Sequence, residues 1–376
     1  MVFSEISIQK NSEIEKRFMT VIGIDTRSDQ DETRWNNLLK ISFNSSYRNS
    51  LAYQLSGTSR NKRKFFYLFS ENGHDSAGAV YSLKSDQLGI IKVAEIQYGI
   101  TFRSEKDLTI LPNILEHFID WAKLMGASYS ILSPWFLKTF NSQLSQIYVK
   151  VNAVIESYGF RPIIDGQHTY LIDLTRSEDE LLARMNRSTR KLVRRGIRSE
   201  ITTEVYNVVD NEILDSFWDL YHRLSLKKEF ASLTEDVFYR RVAGLINNGD
   251  ALLFCSWFKE RLLSATMTSL LGTPAGMYGA IDTDFKNIDD VISPGPLSMW
   301  SIFTELKKMD FRSYDMGFCP GPVPDTHHPN YSVWIFKYNF GPDHAQFMPA
   351  YGKILRTARG ALFEHLRYRR QLAAYE

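Results

Sequence analysis

Two stretches of the chain alternate hydrophobic and polar residues around a short polar turn, a pattern typical of a β-hairpin. They are KFFYLFSENGHDSAGAVYSL at 64–83 and LLFCSWFKERLLSATMTSLL at 252–271. A small residue occupies the same place in the second strand of each, Ala79 in one and Ala265 in the other, so the offset is 186 residues. An offset that recurs along a chain indicates that a structural unit is repeated.

The stretches that follow the hairpins repeat as well. Apolar residues at helical spacing run into a strand pattern at 111–132, LPNILEHFIDWAKLMGASYSIL, and again at 295–316, GPLSMWSIFTELKKMDFRSYDM. Each half then closes with an aromatic segment flanked by glycine, ESYGF ending at Phe160 and KYNFG containing Phe340. The repeated unit is therefore a hairpin followed by a helix and a strand, which predicts an α+β fold of mixed, mostly antiparallel sheets flanked by helices.

Two repeated units predict two domains, at 1–172 and 173–345. The boundary lies after the strand HTYLIDL and before a helix that Ser177 and Glu180 open with capping-box spacing. A length of 376 residues agrees, since single cores rarely grow beyond about 250–300 residues. No Pro-, Gly- or Ser-rich linker separates the halves, so we expect them to share an interface. The tail at 346–376 is predicted to be a helix that packs back on the protein, or alternatively a membrane-surface helix.

Composition excludes several classes of protein. The apolar fraction of 44%, the charged fraction of 23% and the formal net charge of +2 are typical of a globular chain. The longest apolar run, LLFCSWF, is far shorter than the roughly 18 residues of a membrane-spanning helix, and the N-terminal residues lack a secretory signal pattern. Cys255 and Cys319 form neither a metal-binding spacing nor a disulfide framework. We therefore predict a cytoplasmic protein with two buried thiols.

One stretch concentrates positive charge, with seven basic and no acidic side chains at 184–198. On a helical wheel these side chains fall within about 140°, with apolar residues on the other side, so we predict one amphipathic helix that ends near Gly196. A solvated surface is the plain interpretation, but an anionic partner would relieve the repulsion between like charges. We favour contact with RNA or a phosphorylated ligand. The candidate residues are Arg184, Arg187, Arg190, Lys191, Arg194 and Arg195.

Common catalytic motifs are absent: the chain has no Walker loop, no GxGxxG after a strand, no HExxH and no GxSxG. The histidines of DTHH and His344 are interpreted as polar loop residues, so no metal is expected. The order of elements resembles the GNAT acyltransferase fold, in which amides of a glycine loop at a helix start hold the coenzyme A pyrophosphate. Here that junction reads VISPGPLSMW, and Pro294 and Pro296 carry no amide hydrogen. Ordinary use of coenzyme A is therefore disfavoured, and no cofactor is expected.

The second half resembles the Fem family of peptidoglycan cross-bridge aminoacyltransferases, which are twin GNAT-like domains in one chain. The matching stretches, between about 166 and 345, are TYLIDL with the Arg-rich segment after it, MYGAIDTDFKN, SPGPLSMW, FRSYDMGF and WIFKYNFG. The resemblance implies two tandem GNAT-like domains, with the catalytic residues in the second. It also implies transfer of an amino acid from aminoacyl-tRNA to an amine on a peptide-like or cell-wall-precursor acceptor. The Arg-rich segment would then meet tRNA phosphates.

This reaction needs a neutral amine, a proton acceptor and stabilisation of a tetrahedral oxyanion. The resemblance places Phe336 and Lys337 at the reaction site, where the lysine stabilises the developing negative charge, and Tyr278 near the acceptor. Asp315 is positioned to hold the amine. The catalytic candidates are thus Lys337, Tyr278 and Asp315, and Phe336 is a substrate-binding candidate. The plain interpretations are a surface lysine, a core tyrosine and an aspartate that caps a loop.

The chain also departs from the family. Lys227 or Lys228 stands where a family arginine clamps the diphosphate of the acceptor, and lysine lacks the bidentate geometry. The tyrosine expected shortly afterwards is replaced by Ala231 and Ser232. Lys227 and Lys228 remain candidate substrate-binding residues, while the acceptor is open between a cell-wall precursor and a peptide-like metabolite.

Two other functions are alternatives. One is an N-acyltransferase that uses acyl-CoA or an acyl-carrier protein, whose acidic surface would suit the basic segment. The other is a non-catalytic RNA-binding module. Salt-sensitive binding of charged tRNA distinguishes the first from the aminoacyltransferase, and loss of transfer with RNA binding intact in a Lys337 variant argues against the second.

Overall fold

A computed structural model describes residues 6–7, 19–57, 62–86, 89–285 and 292–364, with the backbone alone at 6–7. The expectations for the N-terminal residues before 19 and for the tail beyond 364 otherwise lie outside the described residues. Short 3₁₀ helices at Tyr47–Asn49 and Glu105–Ile110 accompany the α-helices. The α-helices are α1 (Asp29–Ile41), α2 (Leu51–Ser56), α3 (Leu111–Leu124), α4 (Gln146–Ser157), α5 (Glu178–Arg184), α6 (Arg187–Ile197), α7 (Asn211–Lys228), α8 (Glu235–Asn247), α9 (Pro294–Lys308) and α10 (Tyr331–Tyr338).

The strands form two sheets. They are β1 (Ile6–Ser7), β2 (Met19–Gly23), β3 (Lys62–Glu71), β4 (His74–Ser85), β5 (Lys92–Phe102), β6 (Tyr129–Leu132), β7 (Leu137–Phe140), β8 (Gln143–Leu144), β9 (Arg161–Ile164), β10 (His168–Asp173), β11 (Ile201–Tyr206), β12 (Ala251–Phe258), β13 (Arg261–Ser269), β14 (Ala275–Ile281), β15 (Ser313–Cys319), β16 (Asp343–Phe347) and β17 (Ala350–Ile354).

The first sheet has the order β1-β2-β3-β4-β5-β6-β17-β9, and the second has the order β11-β12-β13-β14-β15-β10-β16-β7-β8. Within the described residues, β5 and β6 are parallel, β14 and β15 are parallel, and the other pairs are antiparallel. The prediction of an α+β fold with two mixed, mostly antiparallel sheets is confirmed.

The repeated hairpins form as the alternation predicts, since β3 pairs with β4 and β12 pairs with β13. Ala79 and Ala265 are both fully buried in the cores of their halves, so the repeated small residue is a packing position. The amphipathic helices α3 and α9 each lead into the parallel strand of their own sheet. Their buried faces close the core because apolar side chains recur at helical spacing.

The two sheets exchange strands. β10, which ends the first half, lies between β15 and β16 of the second sheet. β17, which follows the second half, lies between β6 and β9 of the first sheet, where Tyr351 joins the core. The first half therefore contributes β7, β8 and β10 to the second sheet, and the segment after the second half contributes β17 to the first. The boundary drawn after residue 172 falls inside β10.

The segment 350–354, which sequence analysis assigned to a C-terminal helix, is strand β17 instead. Gly352 faces the Tyr129 hydroxyl so closely that a Cβ there would overlap it, so the close strand pairing requires glycine. Helical residues begin at 357 and continue to 364, the last described position. The Phe363 ring lies 4.9 Å from that of Tyr129, which puts this part of the tail on the first sheet.

The basic stretch 184–198 is two helices rather than the single helix predicted. Asn186 has extended backbone and its side chain accepts a hydrogen bond from Thr189 N at 2.7 Å, so it caps the start of α6. Gly196 lies inside α6, where a Cβ would come within 2.9 Å of Leu297 Cβ, so this glycine permits close contact with α9. None of the described helices combines the length and the apolar character needed to cross a membrane.

Candidate functional site

A cavity of about 1020 Å³ lies where two parallel strands of the second sheet separate. β14 and β15 are paired only through Ala275 and Asp315, and the cavity is lined by the residues of both strands beyond that pair. Its other wall comes from the first half, at 43–48 and 135–137. Both halves therefore build one site.

The cavity is mainly apolar. Among the described residues that line it, only Arg48, Asp315 and Lys337 are charged. Such a surface suits a ligand with a sizeable apolar part and a few polar groups fixed at set positions. The apolar lining includes Phe136, Met277, Met299, Met316, Phe318 and Phe336.

Asp315 lies at an irregularity in β15. Gly317 has φ +78°, and the pairing of β15 with β10 shifts register beside it. The bulge turns Gly317 N toward the carboxylate, where it donates to Asp315 Oδ1 at 2.7 Å, and Thr169 Oγ1 donates to the same oxygen. Asp315 is 7% exposed, and burial raises the pKa of its carboxyl group although these hydrogen bonds and Lys337 oppose the shift. Oδ2 makes no hydrogen bond to the described residues and remains able to accept a proton.

Lys337 is half-buried on α10 and lines the same cavity. Its Nζ donates to Phe318 O at 2.8 Å, which uses one of its three N–H groups. Burial lowers the pKa of Lys337, and the negative charge of Asp315 opposes that shift. A Cβ at Gly317 would lie 3.6 Å from Nζ, an ordinary contact distance, so the ammonium group lies directly beside the bulge.

Tyr278 of β14 lines the cavity and is held from behind by a buried arginine. Arg241 Nη1 donates to Tyr278 Oη at 2.8 Å, while Arg241 Nε donates to Ser56 Oγ at 2.8 Å. Arginine has no acceptor, so Tyr278 Oη must accept and its own hydrogen stays free to be donated. Burial raises the pKa of Tyr278, with Arg241 opposing, so the phenol remains protonated at neutral pH.

The start of α9, where GNAT proteins hold the coenzyme A pyrophosphate, does not fit that group. Of its first three residues only Gly295 has an amide hydrogen, because Pro294 and Pro296 have none. The Phe336 ring also lies 3.4 Å from where a Gly295 Cβ would be, which covers this helix end. In the first half, the 3₁₀ helix Glu105–Ile110 precedes α3, the counterpart of α9, and its first turn carries acidic residues that repel phosphate.

The structure does not bring the candidate substrate-binding residues Lys227 and Lys228 to the cavity. They lie in the last turn of α7, and Lys227 Nζ is paired with Asp284 Oδ1 at 2.8 Å on the surface. Leu224, one turn earlier, does line the cavity.

The six basic candidate residues divide into two groups. Arg184 Nη2 pairs with Asp343 Oδ1 at 2.9 Å, and Arg190 Nη1 donates to the carbonyl oxygens of Leu182 and Ala183, so these two arginines hold the ends of α5 and β16 in place. The others project from α6 into solvent and pair with none of the described side chains. They are Arg187, Lys191, Arg194 and Arg195.

The histidines and cysteines have structural contacts. His344 Nε2 lies 2.9 Å from His168 Nδ1, and His328 Nδ1 accepts from Asn330 N at 3.0 Å. In the part of the chain that the structure describes, no three His, Cys, Asp or Glu side chains form a group able to hold a metal ion. Cys255 and Cys319 are buried, which raises the pKa of each thiol to about 12.

No family model and no curated protein matches the chain. Among solved structures it is similar to the crystal structure of FemX, with a TM-score of 0.76 and 16% identity over 92% of this chain and 99% of that one. The chain has the tandem GNAT-like fold of FemX. The fold is also similar to the C-terminal domain of an Agrobacterium fabrum protein described as a lysylphosphatidylglycerol synthetase, with a TM-score of 0.56 and 17% identity over 89% of this chain and 93% of that one. L-PGS from Bacillus licheniformis gives a TM-score of 0.55 and 14% identity over 89% and 96%. The Fem-like fold implied by the sequence resemblance is confirmed.

Three residues that line this cavity or hold its lining residues in place were missed from the sequence. Thr169 lies in the recognised strand TYLIDL, but its pairing with Asp315 joins positions 146 residues apart. Arg241 lies on an amphipathic helix, where its spacing from Phe238 and Leu245 marks a buried face that could have drawn notice. Arg48 stands among serines and asparagines that indicate a loop, so no pattern separates it from a surface arginine.

Proposed function

We propose that the protein is an aminoacyltransferase that moves an aminoacyl group from aminoacyl-tRNA to the amine of a peptide-like or cell-wall-precursor acceptor, forming an amide bond. The observation that carries this proposal is the meeting of Asp315, Lys337 and Tyr278 in one cavity of a Fem-like fold. A neighbour whose name denotes synthesis of a lysyl-bearing lipid supports the aminoacyl class. The poor fit of the α9 start to coenzyme A argues for another donor.

Asp315 acts as the proton acceptor in this proposal. An alkyl amine reaches the site as an ammonium ion, because the pKa of a lysine-like amine is about 10.4. Asp315 Oδ2 takes one of its protons, and the raised pKa of the carboxyl group makes that transfer less uphill. The neutral nitrogen then attacks the ester carbonyl carbon and forms the C–N bond.

Tyr278 and Lys337 stabilise the negative charge that moves onto the carbonyl oxygen. The phenol has a free hydrogen because its oxygen accepts from Arg241, and Lys337 has two free N–H groups. When the C–O bond to the ribose breaks, Lys337 gives a proton to the leaving oxygen and recovers one from the amide-forming nitrogen. The products are the amide and a free tRNA hydroxyl, and the proton taken by Asp315 passes to solvent.

The exposed cations of α6 provide the electrostatic contact for tRNA. They lie on one helix in the half that holds the catalytic candidates, and they have no partner among the described side chains. Binding through phosphates releases counterions, so affinity for tRNA falls steeply with salt.

The test is a transfer assay with the purified protein, a pool of radiolabelled aminoacyl-tRNAs and candidate amines. We expect one ester to be consumed only when both enzyme and acceptor are present, with the label recovered in an amide. A Lys337→Met variant should bind tRNA with unchanged affinity and transfer about 10²–10³-fold more slowly. Consumption of no aminoacyl-tRNA by the wild type with any acceptor would refute the proposal.

The apolar lining supports one alternative, an N-acyltransferase that takes a fatty acyl group from an acyl-carrier protein. Three methionines and several phenylalanines around the cavity suit an alkyl chain. A carrier protein would deliver its thioester without a pyrophosphate site at α9, and its acidic surface would suit α6. Transfer from acyl-carrier protein, with no salt-sensitive binding of tRNA, would select this function.

A further inference from the structure

Arg48 is the first half's charged contribution to the cavity wall. It lies in the 3₁₀ helix Tyr47–Asn49, where its backbone N donates to Ser46 Oγ at 3.3 Å and its carbonyl oxygen accepts from Gln54 Nε2. The backbone is therefore fixed on both sides. The side chain lines the same cavity as Asp315 and Lys337 of the second half.

Aromatic rings surround the guanidinium. Arg48 Cζ lies 4.6 Å from the ring centre of Tyr98, 4.9 Å from that of Trp135 and 5.3 Å from that of Tyr47. Rings bind the faces of a guanidinium by cation–π attraction, which leaves its N–H groups along the edge. The side chain is thus oriented, with its fork of donors held in place.

Most of that fork has no protein partner. Nε donates to Tyr47 Oη at 3.1 Å, and within the described part of the chain Arg48 makes no other side-chain hydrogen bond and no ion pair. Arg241 differs, since it also stacks on a ring, that of Tyr53 at 4.2 Å, but donates to two internal hydroxyl groups. Partly desolvated N–H groups without acceptors are costly, so an oriented and unpaired fork at a cavity wall indicates a ligand acceptor.

The charges around the cavity lead to the same conclusion. Two of its charged side chains, Arg48 and Lys337, are cationic, and Asp315 is the anionic one. Arg48 is near enough to Asp315 to oppose the rise in the pKa of that carboxyl group, yet forms no ion pair with it. One positive charge is left uncompensated in an apolar cavity, which favours a ligand that brings a negative charge.

We propose that Arg48 binds an oxyanion, a carboxylate or a phosphate, on the acceptor amine. The planar fork fits two oxygens of such a group at once. The assignment of this ligand as the acceptor rests on the proposed function, whereas the anion site itself does not. The acceptor is then an amino acid, a peptide with a free carboxylate or a phosphorylated amine, with its amine directed at Asp315 and its apolar part against the methionines.

Calorimetric titration of the full chain without tRNA tests the site. The probes are N-acetyl-L-phenylalanine, its neutral amide and phenyl phosphate, which separate carboxylate, no charge and phosphate on one aromatic frame. The proteins are the wild type, Arg48→Met, Arg48→Lys and the control Arg63→Met, which removes the same charge from an exposed position on β3. Thermal unfolding of each variant reports whether it is folded.

We expect the wild type and Arg63→Met to bind at least one anionic probe about ten- to a hundredfold more tightly than the amide. Arg48→Met should lose that preference, and Arg48→Lys should lose part of it because an ammonium group cannot form the fork. Equal affinity of the wild type for acid and amide, no binding of any probe, or full affinity in folded Arg48→Met would overturn the proposal. Should Arg48→Met not fold, full affinity of Arg48→Lys for both anions would overturn it.

These titrations also separate this inference from the proposed function. Anion binding that depends on Arg48, with no transfer from any aminoacyl-tRNA, would contradict the proposed aminoacyltransferase function and support the anion site. Transfer from aminoacyl-tRNA to amines without an anionic group, as fast as to their acidic counterparts, would support the aminoacyltransferase. It would remove the assignment of the Arg48 ligand as the acceptor.

Discussion

The two halves share a parallel strand pair at the same place in the fold, and the pair of the second half lines the cavity. In the first half, β5 and β6 are paired at four positions, from Val93 with Tyr129 to Ile96 with Leu132. In the second half, β14 and β15 are paired at one. The length of the parallel ladder thus decides which copy of the repeat leaves its strands apart.

Each parallel strand pair has a glycine with positive φ beside the junction, which is the point where its two strands separate. The two glycines have different neighbours. Gly99 of β5, with φ +84°, lies against Trp135, whose backbone N would be 2.6 Å from a Cβ there. The Trp135 ring stacks on that of Phe347 of β16 with ring centres 4.0 Å apart, so this junction of the first half packs against the second sheet. Gly317 instead lies beside Lys337, and its N donates to Asp315 Oδ1 at 2.7 Å. The first half supplies a wall of the cavity at 43–48 and 135–137, and the second half supplies the catalytic candidates Tyr278, Asp315 and Lys337.

The largest effect should come from Lys337, which only the second half has at its junction. Lys337→Met should reduce transfer by about 10²–10³-fold, because it removes an oxyanion donor. Its thermal unfolding temperature should stay within a few degrees of the wild type. Lys84→Met, at an exposed position of β4, is the matched control and should leave the initial rate unchanged. Comparable rates in the two variants would contradict the role of Lys337.

The two glycines should respond differently to alanine. Gly99→Ala should lower the free energy of unfolding by about 2–4 kcal/mol, because it adds a backbone collision to the cost of positive φ. Gly317→Ala should cost about 1 kcal/mol, because φ is +78° and the added Cβ meets its nearest neighbours only at an ordinary contact distance of 3.6 Å. Gly73→Ala is the control, since it has φ +79° and nothing within 4 Å of the added atom. Denaturant titration measures the free energy of unfolding of all three variants. Equal losses of stability in Gly99→Ala and Gly73→Ala would contradict the close contact between Gly99 and Trp135.

The pH dependence of transfer should reflect the shifted pKa values of Asp315 and Lys337 in the second half. Asp315 works as a carboxylate with a raised pKa, so activity should rise with pH at less acidic values than for an ordinary aspartate. Lys337 works as an ammonium ion with a lowered pKa, so activity should fall with rising pH below the usual lysine range.

Each limb of this profile should vary about tenfold per pH unit. Lys337→Arg should move the alkaline limb upward, because arginine stays protonated. An alkaline limb that stays in place in this variant would assign it to another group.

The smallest effect concerns the surface of the second half. Replacing Arg187, Lys191 or Arg194 by glutamine should each reduce the slope of log affinity for tRNA against log salt by about 1. Arg184→Gln, whose parent side chain is paired with Asp343, should leave that slope unchanged and lower thermal stability instead. A filter-binding series at several salt concentrations measures this, and equal slopes for all four variants would remove α6 from the tRNA contact.

Much of the fold could be predicted because its signals are local. Alternation marks the hairpins around Ala79 and Ala265, and the capping box formed by Ser177 and Glu180 opens α5 as expected. The break at Asn186 also has a local signal, since asparagine is a preferred residue at the N-cap of a helix. The helical wheel of basic residues ran across this position and hid the break.

The exchange of strands between the sheets and the contacts of Arg48 could not be predicted from the sequence, for physical reasons. The alternation of β10 and β17 fits either sheet, because pairing depends on which neighbour lies beside the strand in space. Lys337, Asp315 and Tyr278 were found through resemblance and the structure places all three on one cavity, while Lys227 and Lys228 lie outside it. Arg48 is oriented by the rings of Tyr98 and Trp135, and no local sequence pattern connects these residues to it.

The position of β17 has a consequence for synthesis. β9 is paired with β17 among the described strands, so the edge of the first sheet beyond β6 stays open until residue 354 has left the ribosome. Nascent chains that stop after the first half should therefore expose an unsatisfied strand edge and require chaperone protection until the C-terminal segment is made.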